Sequence, residues 1–142
     1  WWEVLWPPAE MKMTCADDGA LALRVARWGV SVIGGGDLGG EQEKNLARGG
    51  AAVAGSVLLA GRHGDAQANS APWLDAVRPR DVVISGGEHL QKNLPDEEVM
   101  ARLTARNIAI WRTDQQGTIE LDWHGRPARW PATGYTLRAM RN

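Results

Sequence analysis

A chain of 142 residues with a formal net charge of −1 has the size of one domain and carries no global basic field to hold nucleic acid. Hydrophobic residues at 44% and charged residues at 23% are the balance of a globular chain with a core. The single cysteine, Cys15, excludes an internal disulfide and a multi-cysteine zinc site, and no apolar run reaches the length of a bilayer span.

The opening "WWEVLWPP" begins without Met and lacks the charged-then-apolar order of a signal peptide. It reads as a strand, Trp2 to Trp6, stopped by Pro7-Pro8, and as part of something longer. Residues Met11 to Ala20 are turn-like, with Asp17-Asp18-Gly19 as the clearest signal. In "ALALRVARWGVSVIGGGDL" the alternation of Leu21, Leu23 and Val25, then Val30 and Val32, predicts a hairpin turning at Trp28-Gly29. Gly34-Gly35-Gly36 then brings Asp37 to the strand's end. A short helix, Glu41 to Arg48, has acids early and bases late and closes on Gly49-Gly50.

Strand (Val57 to Ala60), helix (Pro72 to Val77) and strand (Asp81 to Ser85) follow, and then a helix from Pro95 to Arg106. Ile108 to Trp111 and Thr118 to Asp122 predict a final hairpin joined by "RTDQQG", after which an Arg- and Trp-rich tail occupies 123–142. The abundance of Trp (8 residues) beside a complete lack of Phe has no physical explanation in the pattern. The order of elements predicts an α/β fold: one domain over 1–142 with a mixed β-sheet and helices on one face.

Asp37 and His63 each follow the end of a predicted strand, where ligands collect in layered α/β folds. A carboxylate and an imidazole are natural ligands for zinc or manganese; the plain alternative is a turn aspartate and a surface histidine. His89 and His124 read as solvent-facing loop and turn residues, and Cys15 has no neighbouring base to activate it. "GGGDLGG" lacks the Lys-Ser/Thr of a phosphate loop. Arg24 and Arg27 put two charges on an early strand. Arg126, Arg129, Arg138 and Arg141 give the tail a basic, Trp-interleaved character suited to phosphates and bases, or to plain solvation.

In sequence order, "ALALRVARWGVSVIGGGDL", "VLLAGRHGD", "WLDAVRPRDVVISGG", "PDEEVMARL" and "IWRTDQQGTIEL" resemble the metallo-β-lactamase-like domain of ComEC-type DNA-internalisation proteins. These are bacterial competence membrane channels for transforming DNA. The resemblance covers the second half of that domain, thus half of an αββα sandwich, and is most specific from Ala76-Val77-Arg78-Pro79 through Arg112-Thr113-Asp114 and Gly117. It makes Asp37, in Gly35-Gly36-Asp37, and His63, in Gly61-Arg62-His63-Gly64-Asp65, metal-ligand positions for zinc or manganese. The family's paired histidines are here Arg62 and His63, its Gly-His-Pro is Asn93-Leu94-Pro95, and its Asn-Asp-Asn-Ser is Asp17-Asp18-Gly19-Ala20. The cluster supplying most of the metal ligands belongs to the first half, outside these 142 residues.

The resemblance implies a metal-dependent phosphodiester nuclease acting during DNA import. Its partners would be DNA and the remaining channel and first-half segments of a parent inner-membrane protein. This segment would lie outside the bilayer, on the periplasmic or outer face. With two ligand positions left and Arg62 beside them, the fragment itself is expected to be inactive. The alternatives are a non-catalytic DNA-contacting or assembly module and a remnant of an unrelated hydrolase of the same fold.

Overall fold

The structure, a computed structural model, describes residues 1–14, 16–49, 53–87, 94–124 and 134–140. Strand β1 (Trp2–Trp6) pairs antiparallel with β2 (Ala22–Arg27), and β2 with β3 (Val30–Gly34). The β2–β3 turn falls at Trp28 and Gly29, both left-handed at φ 51° and 80°, the twist that suits a two-residue hairpin turn. From β3 the sheet continues in parallel through β4 (Val57–Leu59), β5 (Asp81–Ile84) and β6 (Ala109–Arg112), in the order β1-β2-β3-β4-β5-β6. This is the mixed α/β sheet that the sequence predicts.

Helices α1 (Gly40–Arg48), α2 (Ala71–Val77) and α3 (Glu97–Thr104) fill the crossovers. Ile33, Leu58, Val82 and Ile84 pack with Trp73, Leu74 and Val77 of α2 and with Val99 and Leu103 of α3 in one buried cluster. Helix α3 is shorter than Pro95 to Arg106. Its N-cap is Asp96, whose side chain accepts from the Glu98 N–H at 2.9 Å, so Pro95 stands outside the first turn. At the other end Asn107, left-handed at φ 54°, turns the chain into β6.

The opposite face of the sheet is apolar as well. Strands β3 to β5 (VSVIG, VLL, DVVI) are apolar apart from Ser31 and Asp81, the character of strands covered on both sides. Yet Leu21, Val25 and Leu59 there are 52%, 41% and 43% exposed. They line a shallow apolar depression with Leu23, Val32 and Gly34.

The predicted hairpin of Ile108 to Trp111 with Thr118 to Asp122 does not form. Residues 109–112 instead extend the parallel sheet as β6, because helix α4 (Thr113–Gln116) and Gly117 (φ 77°, ψ −148°) turn the chain away. Strand β7 (Thr118–His124) pairs antiparallel with β8 (Gly134–Met140) in a second sheet of two strands. The described part of the Arg- and Trp-rich tail is therefore strand, with Trp123 opposite Tyr135.

Adjacent residues of β4 test this layering. Leu58, fully buried, is expected to cost about 2–5 kcal/mol on substitution by Ala, while Leu59→Ala costs less than about 1 kcal/mol. Urea unfolding of the two variants, read by tryptophan fluorescence, measures both; equal losses would contradict the one-sided core.

Candidate functional site

Parallel strands β3 to β6 all release the chain at one rim. After β3, Gly36 turns through φ 52° and presents Asp37 to solvent; after β4 comes Gly61-Arg62-His63-Gly64. The two exits are bonded: the Arg62 N–H donates to the Gly36 carbonyl at 2.9 Å. Asp37 and His63 thus follow neighbouring strands at the same rim, and both are exposed. The next exits are tied in series. His63 Nδ1 lies 2.9 Å from the Ser85 carbonyl, and Thr113 Oγ1 accepts from the Gly86 N–H at 2.8 Å and donates to the Gly86 carbonyl at 3.0 Å.

The His63 contact decides a tautomer. A carbonyl oxygen only accepts, so Nδ1 carries the proton and the neutral ring keeps its lone pair on Nε2. This is how a protein orients a histidine that binds through Nε2. The backbone there is unusual: Arg62, His63 and Gly64 are all left-handed, at φ 49°, 57° and 85°. Two successive side-chain-bearing residues in that region are costly, of order 1–3 kcal/mol each, and persist only where the surroundings over-determine them. Gly64 is required outright, since a Cβ there would stand 2.7 Å from Pro95 Cβ.

What holds the turn is buried. Asn69 Nδ2 donates to the Gly61 carbonyl at 2.9 Å, and Asn69 Oδ1 accepts from the Gly61 N–H at 3.0 Å. Glu43 of α1 in turn accepts from the Asn69 and Ser70 N–H groups at 2.7 and 2.8 Å. Burial pushes the Glu43 carboxyl above its ordinary range, while the Ser70 and Asn69 amides and the Arg102 guanidinium pull the other way. Arg102 also bonds the Ala66 and Ala68 carbonyls, at 3.4 and 3.3 Å. Neither Glu43 nor Asn69 is foreseen by the sequence reading. The only available signal is that each is a polar residue in a stretch that the fold must bury.

Among the described residues, no group of three or more His, Cys, Asp and Glu side chains comes together as a metal-binding cluster. Arg112 and Asp114 close the rim beyond β6 with a forked ion pair, at 3.1 and 2.5 Å. The Arg112 hydrogen bonds hold the Asp114 carboxyl below the usual carboxylate range. His124 is not in a turn as predicted. It lies on β7, exposed, with Nε2 2.7 Å from Thr136 Oγ1 across the β7–β8 pair. Arg138 is exposed on β8, 3.7 Å from Asp122. Cys15, His89, Arg126, Arg129 and Arg141 lie outside the described residues.

A second polar cluster, also missed by the sequence reading, lies where β4 and β5 begin. The Asp81 carboxylate, almost fully buried, accepts from Trp111 Nε1 at 2.8 Å, from Arg80 Nε at 3.1 Å and from the Tyr135 hydroxyl. Burial pushes the Asp81 carboxyl up, but the Tyr135, Trp111 and Arg80 hydrogen bonds together hold it below its ordinary range. Burial and the same carboxylate push the Tyr135 hydroxyl up to about 12. Tyr135 thereby fastens the second sheet to the first.

Two measurements follow from these networks. Asn69→Ala is expected to cost roughly 2–4 kcal/mol, because it unpairs both Gly61 groups and puts an alanine at the left-handed φ of 55° that Asn69 adopts. It should also move the His63 ring resonances in 1H–15N spectra; an unmoved ring would mean that Asn69 does not hold the turn. Tyr135→Phe is expected to cost about 1–3 kcal/mol near neutral pH. A carboxyl depressed on folding contributes stability that is present above its unfolded value, near 3.8, and lost as pH falls through the folded value. The deficit should therefore shrink in acid, and a deficit independent of pH would separate Tyr135 from Asp81.

No family model matches the chain. Over 110 residues, 78% of its length, the chain is 28% identical to ComE operon protein 3 of Bacillus subtilis (strain 168). Over 114 residues, 80% of its length, it is 32% identical to competence protein ComA of Neisseria gonorrhoeae. It spans only 14% and 16% of the length of these two relatives.

Proposed function

We propose that the chain is a metallo-β-lactamase-like segment of a ComEC-type protein that takes up transforming DNA, and that the segment alone is not a nuclease. One observation carries the reading. Two ligand-type side chains, Asp37 and His63, leave neighbouring parallel strands at one rim of an α/β sheet, joined through Gly36 and Arg62. Similarity to a competence protein over 80% of the chain supports the biological setting.

Zinc or manganese, the ions that the resemblance implies, need three or more protein ligands at a catalytic centre. The rim offers the Asp37 carboxylate and His63 Nε2, with the guanidinium-bearing residue Arg62 directly beside them. That donor set does not fit a catalytic ion by itself. In this reading the missing donors, and the channel itself, come from other segments of a parent inner-membrane protein. Among the described residues no helix is long and apolar enough to cross a membrane. The resemblance puts the segment outside the bilayer, on the periplasmic or outer face of that parent protein.

Two experiments test the proposal. Linear DNA incubated with the purified chain and zinc or manganese should stay intact; cleavage that vanishes in Asp37→Ala and His63→Ala overturns the inactive assignment. In-frame removal of these 142 residues from the encoding gene should abolish transformation of the source organism by added DNA. Undiminished transformation overturns the uptake role.

A further inference from the structure

The open face of the sheet has a definite relief. The register sets Trp2 beside Val25 and Val25 beside Val32 in one row, and Val4, Leu23, Gly34 and Leu59 in the next. Paired residues point to the same side of a sheet, so both rows share the face away from the helices. Trp2 and Val4 project from β1, at 71% and 48% exposure. Gly34, without a side chain, leaves a dent of about 260 Å³ walled by Leu21, Leu23 and Leu59. Neither row holds a charge. Arg27, two residues beyond Val25 on the same face, stands at the end of the patch with its guanidinium 3.8 Å from the centre of the Trp28 ring.

Among the described residues, the cover on this side stops at β4. The Tyr135 hydroxyl lies 3.1 Å from the Ser56 carbonyl and donates to Asp81, and Val57 beside them is fully buried. We propose that the remaining face, over β1 to β3, binds a second copy of the chain as a symmetric face-to-face dimer. A surface that pairs with itself needs a projection and a recess offset from each other, since in a two-fold pair residue i meets j and j meets i. Here the projection is on β1 and the recess on β3, one strand to either side of β2.

A two-fold axis along β2 sets β1 of each copy across β3 of the other. Val4 then stands over the dent at Gly34, Trp2 over Val32, and Val25 meets Val25 at the axis. Both sheets carry the same right-handed twist, the condition for aligned packing around a shared apolar layer. The second sheet of each copy falls beyond the edge strand β1 of the other, so it does not obstruct the approach. Size agrees as well. Trp2, Val4, Leu21, Val25 and Leu59 leave on the order of 500 Å² of apolar surface to water, and the exposed Trp1 brings the patch toward the roughly 800 Å² per partner of a standard interface. Association buries this surface without desolvating a charge, and Arg27 stays at the rim, where water screens it.

Sedimentation equilibrium of the full chain at about 1–300 μM tests this. The mass is expected to rise with concentration from the 15.5 kDa of one chain to twice that value and no further. Val25→Lys, which opposes two like charges at the axis, should weaken association at least about tenfold, and so should Trp2→Ser, which removes an aromatic anchor. Ala101→Lys, at an exposed position of α3, should change nothing. An equal mixture of Val25→Lys and Val25→Glu should recover most of the loss, because opposite charges then meet. Circular dichroism establishes that each variant is folded. A chain that stays monomeric throughout overturns the proposal and leaves the face to another segment of a longer protein. Mass growing past two chains overturns it in favour of open-ended pairing along β1. Association indifferent to Val25→Lys, or a mixture no stronger than either variant alone, overturns it too.

Discussion

Asn69 is bound to Gly61 through both ends of its side-chain amide, and its own backbone N–H is held by the carboxylate of Glu43. All of this is buried, where a hydrogen bond is hard to replace and its loss leaves groups with no water to turn to. The arrangement ties α1, the loop before α2 and the exit of β4 into one unit, and Arg102 brings α3 to the same loop. The left-handed turn at Arg62 and His63 depends on it. Without a rigid anchor at Gly61, two strained residues in succession would relax, and His63 would lose the carbonyl that sets its tautomer.

The molecule is polarised along its parallel strands. At their C-terminal rim stand Asp37, His63 and the Arg112–Asp114 pair; at the other, Arg24, Arg78 and Arg80 line one groove, and Arg80 bonds the buried Asp81. Crossover connections make this division natural, because every parallel strand sends its exit loop to one side and takes its entry loop from the other. A single short domain can therefore offer two chemically different edges without enlarging its core.

Much of the fold is legible in the sequence, because alternation in β2 and β3, acidic first turns in α1 and α3, and runs such as Asp81 to Ile84 are local signals. The glycines around Asp37 and His63 likewise mark strand exits. The last hairpin misleads for a definable reason. Residues 108–112 and 118–122 have strand composition and a turn-like spacer, yet β6 pairs in parallel with β5 while β7 pairs with β8, and pairing choice is a tertiary property. The bond between His63 Nδ1 and Ser85 spans two strands, and the Asp81 cluster gathers Arg80, Trp111 and Tyr135 from three places in the chain. No spacing rule announces such meetings.

One feature of the sheet bears on how the isolated chain unfolds. With Leu21, Val25 and Leu59 on the uncovered face, and Trp2 and Val4 on the edge strand at 71% and 48% exposure, part of the apolar surface that unfolding normally releases is already hydrated. The heat-capacity increment should therefore fall below the roughly 12–15 cal/mol/K per residue typical of globular proteins, and the denaturant slope below that of a filled domain of equal length. Such a chain has a flat stability curve, broad in temperature and low at its summit. Whatever came to cover that face would sharpen the curve by restoring the missing hydration change.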